Sequence, residues 1–337
     1  MSSTGAGWRI RSFVRALTRR SLLRGRHDAG SRSVGSWLPA VVQVGAGRRS
    51  YLVYVPPALP RRTRVPVVML LHGCRQTAAE FAAASGFDGL ADRYGFLLVC
   101  PEQSARSHRQ RCWRWYESAH QERGAGEPAI IAAITAEVLA EATRWHADPD
   151  RVYVAGLSAG GGMALILAAT YPDVYAAVGI HSAPAYRSAV NGTGAFAAMA
   201  GRAPVPPPRL HADGGPGMPP AIVFHGTGDT TVRAGNGRAI AEQWLAYRQA
   251  YAARADRART GDRITRAREK VRRGACDGRA YTVTSWYLRR RRKMLEYWQI
   301  DGLGHAWSGG TAGGSFSDPH GPSASTAMWK FFSARRR

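Results

Sequence analysis

Arg151-Val152-Tyr153-Val154-Ala155-Gly156-Leu157-Ser158-Ala159-Gly160-Gly161-Gly162-Met163-Ala164-Leu165-Ile166-Leu167-Ala168-Ala169 is the stretch whose reading decides the fold. Its first five residues form a β-branched, apolar run that reads as a buried strand, and residues from Gly161 onward read as a helix packed on a sheet. Between them stands Gly156-Leu157-Ser158-Ala159-Gly160, a G-x-S-x-G on a strand-to-helix turn. Such a turn holds its serine in a strained conformation and raises the hydroxyl above the sheet. The flanking glycines are needed because a Cβ there would collide with the neighbouring strand and helix. The N–H of Ala159 then sits at a helix N-terminus, where it can face a developing oxyanion.

Outward from this turn, strands and helices alternate. Upstream, Trp37 to Val44 and Arg49 to Val55 read as an antiparallel hairpin, Val65 to Leu71 as a strand buried on both faces, Ala78 to Tyr94 as a helix and Phe96 to Cys100 as a strand. Glu127 to Trp145 reads as a helix with Pro128 in its first turn. Downstream, Ala176 to His181 and Ala221 to Gly226 are buried strands, and Gly235 to Ala253 is helical. Arg254 to Arg279 reads as a solvent-exposed helical stretch. Tyr281 to Leu288 and Met294 to Ile300 then form a hairpin with a charged tip, Arg289 to Lys293, before a C-terminal helix around Ala327 to Phe332.

Residues 1–36 are expected to be a basic, flexible extension and 37–337 one catalytic domain, with a lid-like Gly/Ala/Pro-rich segment around 183–220 and a basic insertion around 254–293. Alternating strands and helices demand parallel pairing with both sheet faces covered. The expected fold class is α/β: the α/β-hydrolase plan, a mostly parallel sheet of about eight strands with helices on both faces.

The formal net charge of +24 predicts attraction to polyanions or to anionic surfaces such as a granule or membrane; no nucleic-acid motif accompanies it. Arginine enrichment from genome composition is the plainer reading. The N-terminal run Trp8 to Arg20 has arginines throughout, so it lacks the apolar centre of a secretory signal. It reads as an arginine-rich tail or as an amphipathic basic helix on an anionic surface. No stretch approaches the roughly 20 apolar residues of a membrane span. Of four cysteines, Cys100 falls in an apolar run and reads as a buried thiol. Cys74 and Cys112 fall in loops at one face of the sheet, where a disulfide and two free thiols both remain open.

A serine hydroxyl needs a base, and the base a carboxylate to orient it. Asp229 follows the strand Ala221 to Gly226 by a short turn, and His305 lies in the loop after the last strand, in Gly304-His305-Ala306-Trp307. Taken singly, Asp229 is an ordinary helix cap and His305 a solvated loop residue. Three such residues in the order nucleophile, acid, histidine, each at a strand end, form the expected catalytic set Ser158, Asp229 and His305. The expected oxyanion donors are the N–H groups of Cys74, after the strand Val65 to Leu71, and of Ala159. His72, Trp115 and Trp307 are expected to contact substrate, the two indoles as flat apolar walls; core packing is the alternative for each tryptophan.

The segments Leu71-His72-Gly73-Cys74-Arg75-Gln76-Thr77-Ala78, Pro101-Glu102-Gln103, Arg111-Cys112-Trp113-Arg114-Trp115-Tyr116, Gly156 to Gly161, Phe224-His225-Gly226-Thr227-Gly228-Asp229 and Gly304-His305-Ala306-Trp307-Ser308-Gly309-Gly310 resemble the polyhydroxybutyrate depolymerase family of esterases, as does Asp318 to Ser325. The resemblance runs from about Trp37 to Phe332. It implies hydrolysis of poly(3-hydroxybutyrate)-type polyesters or their oligomers through a serine acyl-enzyme, with no cofactor and no metal. It also implies an extracellular location; the lack of a visible signal peptide makes a cytoplasmic, granule-associated enzyme the alternative expectation. Feruloyl and acetylxylan esterases, which share similar motifs, are the alternative activity, and a non-catalytic basic surface-binding protein is the alternative of another class.

Overall fold

Every side chain of Val65–Leu71 is buried, and they divide by parity. Val67, Met69 and Leu71 join one apolar core while Val68 and Leu70 join another. A strand with two buried faces needs a cover on each, and the computed structural model, which describes residues 34–45, 47–59, 63–207, 217–259, 267–288 and 292–337, supplies both.

The elements in chain order are β1 Ser36–Val44, β2 Gly47–Val55, β3 Val65–Leu71, α1 Ala78–Ser85, α2 Phe87–Tyr94, β4 Leu97–Pro101, α3 Gly126–Ala140, α4 Ala142–Trp145, β5 Ala147–Leu157, α5 Ala159–Thr170, β6 Ala177–His181, α6 Gly192–Met199, β7 Ala221–Gly226, α7 Gly235–Arg259, β8 Arg268–Cys276, β9 Arg279–Leu288, β10 Arg292–Ile300, the short pair β11 Trp307–Ser308 and β12 Ser317–Asp318, and α8 Ala324–Ser333. The main sheet has ten strands in the order β1-β2-β4-β3-β5-β6-β7-β10-β9-β8. Its six central strands, β4 to β10, run parallel, and two antiparallel strands finish each edge. Met163 and Ile166 of α5, Ile131 and Ile134 of α3 and Trp244 of α7 fill the core on one face. Phe81 of α1, Phe87 of α2 and Met328 and Phe332 of α8 fill the other.

Register aligns the carboxyl ends. Leu71 pairs with Gly156, Leu157 with His181, His181 with Phe224 and Gly226 with Ile300. The loops that leave β3, β5, β6, β7 and β10 therefore open on one edge of the sheet, the edge where sites in parallel sheets gather.

Three expectations are corrected. The helix read over Ala78 to Tyr94 is two helices: Gly86 adopts φ +67°, closes α1 through its N–H to Ala82 O, and starts α2 in a new direction. The helix read over Arg254 to Arg279 gives way to a strand, since α7 ends at Arg259 and β8 pairs with β9 over nine positions from Arg268↔Tyr287 to Cys276↔Arg279. An edge strand solvated on both faces has no buried side to impose alternation, so its arginines hid it. With it the sheet has ten strands rather than about eight. The lid-like segment contains a helix, α6, capped by the Asn191 side chain on the Gly194 N–H. The N-terminal extension up to residue 33, residues 208–216 of the lid and residues 289–291 of the charged hairpin tip lie outside the described residues. Among the described residues no helix is long and apolar enough to cross a membrane.

Candidate active site

Ser158 stands between β5 and α5 with φ +55° and ψ −120°, a conformation that costs a non-glycine residue about 1–3 kcal/mol. The chain around it explains why that conformation persists. A Cβ on Gly156 would lie 2.4 Å from the Gly160 backbone, and one on Gly160 would lie 2.1 Å from Leu71 O. The obstructing atoms are main chain and cannot swing aside. Ser158 N–H donates to His181 O at 2.9 Å, and Ser158 O accepts from Gly162 N at 2.9 Å, so strand and helix both clamp the turn.

Asp229, His305 and Ser158 form one hydrogen-bonded line. His305 Nδ1 lies 2.8 Å from Asp229 Oδ2, and His305 Nε2 lies 3.0 Å from Ser158 Oγ. An ionised carboxylate only accepts, so Nδ1 carries the proton and Nε2 presents its lone pair to the serine O–H. The other oxygen, Asp229 Oδ1, accepts from Thr231 N at 3.0 Å and Val232 N at 2.8 Å. Burial by itself would raise the pKa of Asp229. Hydrogen bonds from His225 and His305, with the Val232 amide, more than offset it and hold the carboxyl well below the usual carboxylate range. His225 Nε2 is nearer Val232 O, at 2.8 Å, than Asp229 Oδ2, at 3.5 Å, so His305 makes the shorter contact to the carboxylate.

The loop after β3 faces this line. Gly73 N–H donates to Gln76 Oε1 at 2.8 Å and Gln76 Nε2 donates to Ser315 O at 2.7 Å, which ties the loop to the approach to β12. Cys74 is disulfide-bonded to Cys112, 38 residues on, and Cys100 is a buried thiol. Among the described residues the N–H groups of Cys74 and Ala159 meet no protein acceptor. Behind the disulfide lies a buried polar knot. Arg49 reaches Gln103 and Glu127, Gln103 Nε2 donates to Glu127 and to Cys112 O at 2.9 Å, and Glu127 Oε2 accepts from Arg114 N at 2.8 Å. Loops have few neighbours of their own, and this knot supplies them.

A cavity of about 510 Å³ opens over Ser158 and His305, within the size range of small-ligand sites. Cys74 and Ala159 line it, as does Trp115; its apolar walls include Tyr116, Phe196, Met199, Val232 and Phe316. Phe196 is 75% exposed at the rim.

Two expected contacts are corrected. Trp307 is fully buried, edge-on to Phe81 at 5.3 Å and stacked on His181 at 5.0 Å, with its N–H donating to Ser325 Oγ at 3.0 Å. Pairing in β11 turns it inward, so it packs the core beneath His305 and walls nothing. His72 is also fully buried: Nδ1 donates to Gly73 O at 2.7 Å and Nε2 accepts from Gln103 N at 3.0 Å. Both ring nitrogens are spent on backbone, so His72 braces the loop. Sequence reasoning passed over Phe196, Phe316, His225 and His181. Phe196 stands alone in a Gly- and Ala-rich helix, α6, and Phe316 in a Gly- and Ser-rich loop, with no apolar periodicity to mark either. His225 sits inside a motif already quoted, four residues before Asp229, and that spacing was the available signal. Among the described residues no group of three or more His, Cys, Asp or Glu is placed to hold a metal ion.

The fold and the elbow define a protein of the α/β-hydrolase class. A solved acetyl xylan esterase from Aspergillus awamori shares this fold, with a TM-score of 0.64 and 21% identity over 80% of this chain and 94% of that one. The chain belongs to the esterase PHB depolymerase family, whose model matches residues 49–272. It is 35% identical over 209 residues to poly(3-hydroxyalkanoate) depolymerase C of Paucimonas lemoignei, covering 60% of this chain and 49% of that one. It is 36% identical over 133 residues to feruloyl esterase B of Neurospora crassa, covering 40% and 43%. The chain thus spans about half the length of the curated relatives it matches.

Proposed function

We propose that the chain is a serine esterase that hydrolyses poly(3-hydroxybutyrate)-type polyesters or their oligomers. The observation that carries the reading is the line Asp229–His305–Ser158, with contacts of 2.8 and 3.0 Å. His305 Nε2 takes the Ser158 proton as Oγ attacks the ester carbonyl. The oxyanion rests on the N–H groups of Cys74 and Ala159, which meet no other acceptor among the described residues; each such donor contributes roughly 3 kcal/mol of transition-state stabilisation. The imidazolium, stabilised by Asp229, then protonates the leaving alcohol, and water deacylates the serine by the same path. The apolar walls around Trp115, Phe196 and Phe316 suit an aliphatic acyl chain better than a sugar.

A second reading, esterase action on feruloyl or acetyl groups of xylan, is favoured by the likeness to feruloyl esterase B and to acetyl xylan esterase. The deciding experiment measures 3-hydroxybutyrate released from amorphous polymer against ferulate and acetate released from xylan, with wild type and Ser158→Ala. Release of 3-hydroxybutyrate by wild type alone is expected. Deacylation of xylan with no release from polymer would replace the polyester reading by the second one.

A further inference from the structure

The second large hollow in the molecule is cationic. A cleft of about 1240 Å³ opens between α8, the β8–β9 hairpin and the length of β10, with Pro220 at the start of β7 on its wall. Pro220 precedes β7 at this cleft and Gly226 ends β7 beside the candidate active site. The two hollows share no lining residue.

Six cationic side chains line the cleft (Arg248, Arg272, Lys293, Lys330, Arg335 and Arg336) against one carboxylate, Glu296. Lys293 is paired with Glu296, and Arg336 with Asp148 and Asp150. The other four have no carboxylate partner among the described residues. Arg248 donates to Met218 O, Arg335 to Phe331 O at 2.5 Å and to Lys293 O at 2.8 Å, and Arg272 to the Tyr281 hydroxyl at 3.2 Å. Carbonyls and a phenol satisfy N–H groups without cancelling charge. Burial lowers the pKa of Arg248 and of Arg335, outweighing the opposite pull of Glu296 on Arg335, so both cations are held partly out of water. The Arg272 guanidinium lies over the rings of Tyr281 and Trp298, 5.6 and 5.4 Å from their centroids. Trp298 is 9% exposed and lines the same cleft, and its indole N–H has no acceptor among the described residues.

We propose that this cleft binds an oligophosphate, a run of adjacent phosphate groups borne either by a free inorganic chain or by a nucleotide. Four cations with no carboxylate in direct contact, only Arg335 among them feeling Glu296, call for several negative charges close together, and a single carboxylate would leave most of them unmatched. Guanidinium forks match phosphate oxygens two at a time, and the buried indole N–H is one more donor. A hollow lined from α8, the β8–β9 hairpin and β10 together suits a compact ligand rather than the flat face of a bilayer.

The test is calorimetric titration of the full chain with inorganic tripolyphosphate, ATP and 3-hydroxybutyrate at matched ionic strength, about 150 mM. Tripolyphosphate is expected to bind, and 3-hydroxybutyrate not to. ATP binding more tightly than tripolyphosphate would assign the nucleotide form, and equal or weaker binding the free chain. Arg272→Glu with Lys330→Glu is expected to weaken binding at least tenfold. The same two charge reversals at Arg202 and Arg233, on the lid side, are expected to leave it unchanged. Circular dichroism and the unfolding midpoint check that both variants fold. Absence of tripolyphosphate binding by wild type, or an equal loss in both variants, would overturn the site; the second result would mean diffuse attraction by net charge.

Discussion

Ser308 N–H donates to Nε2 of His181 at 3.1 Å, and this bond fastens the loop that carries His305 to the end of β6. The accepting nitrogen must be unprotonated. Burial, reinforced by the neighbouring imidazoles of His225 and His305, pushes the His181 pKa well below its ordinary value and keeps the ring neutral.

A pH dependence of stability follows. His181 and His72 both have lowered pKa values in the fold, chiefly through burial. Below about pH 6.5 the unfolded chain takes up protons that the folded chain refuses, so stability present above that pH is lost as the pH falls. Each histidine contributes a slope of about 1.4 kcal/mol per pH unit. Urea midpoints are expected to drop between pH 7.5 and 5.5, and the drop is expected to shrink in a His72→Gln, His181→Gln double variant. Asp229, also lowered, adds its own loss in a separate window below about pH 4.

Ser158→Ala is expected to reduce kcat on p-nitrophenyl butyrate by about 10⁶-fold, leaving the unfolding midpoint near that of wild type. Asp229→Asn is expected to cost about 10⁴-fold. An asparagine oxygen can still accept from Thr231 and Val232, so the turn keeps its shape while the imidazole loses its orienting charge. A loss below tenfold for either variant would remove that residue from the proposed mechanism.

The Cys74–Cys112 bond closes a loop of 38 residues, for which chain entropy gives about 4 kcal/mol of stabilisation. Reduction is expected to lower the urea midpoint and to lower activity with it, because the Cys74 amide sits on the freed loop. Thiol titration offers an independent check. With Cys276 exposed and Cys100 buried, one thiol reacts in the native protein, two after unfolding and four after reduction.

Trp307 and Phe316 lie close together in the sequence and are expected to behave oppositely. Trp307→Ala empties a fully buried site and should cost about 3–5 kcal/mol in unfolding free energy. Phe316 is 41% exposed at the cavity, so Phe316→Ala should raise KM for hydrophobic esters with little change in stability. The reverse pattern would restore the indole to the cavity wall and displace the phenyl ring from it.

Most of the central sheet was legible from sequence because a strand buried on both faces is written as an apolar run: Val65–Leu71 and Ala221–Gly226 coincide with their readings. The elbow was legible because only glycine fits at positions 156 and 160, and the chain order of Ser158, Asp229 and His305 followed from strand ends. What escaped depends on long-range packing. Nothing local distinguishes Trp307, turned inward by a two-residue strand, from Trp115, which lines the cavity. Arg268–Cys276 reads as a polar segment until β9 is known to lie beside it. The brace formed by Arg49, Gln103 and Glu127 joins residues 54 and 78 positions from Arg49, beyond any local pattern.

At one edge of the sheet, β8 leaves a whole rim of backbone amides and carbonyls without a neighbouring strand among the described residues. Such a rim invites another chain to zip onto it and seed fibrous aggregates, and Arg268, Lys270, Arg272 and Arg273 set like charges in the path of any identical copy. The arginines that disguise this strand therefore also keep the sheet from growing beyond the molecule that made it.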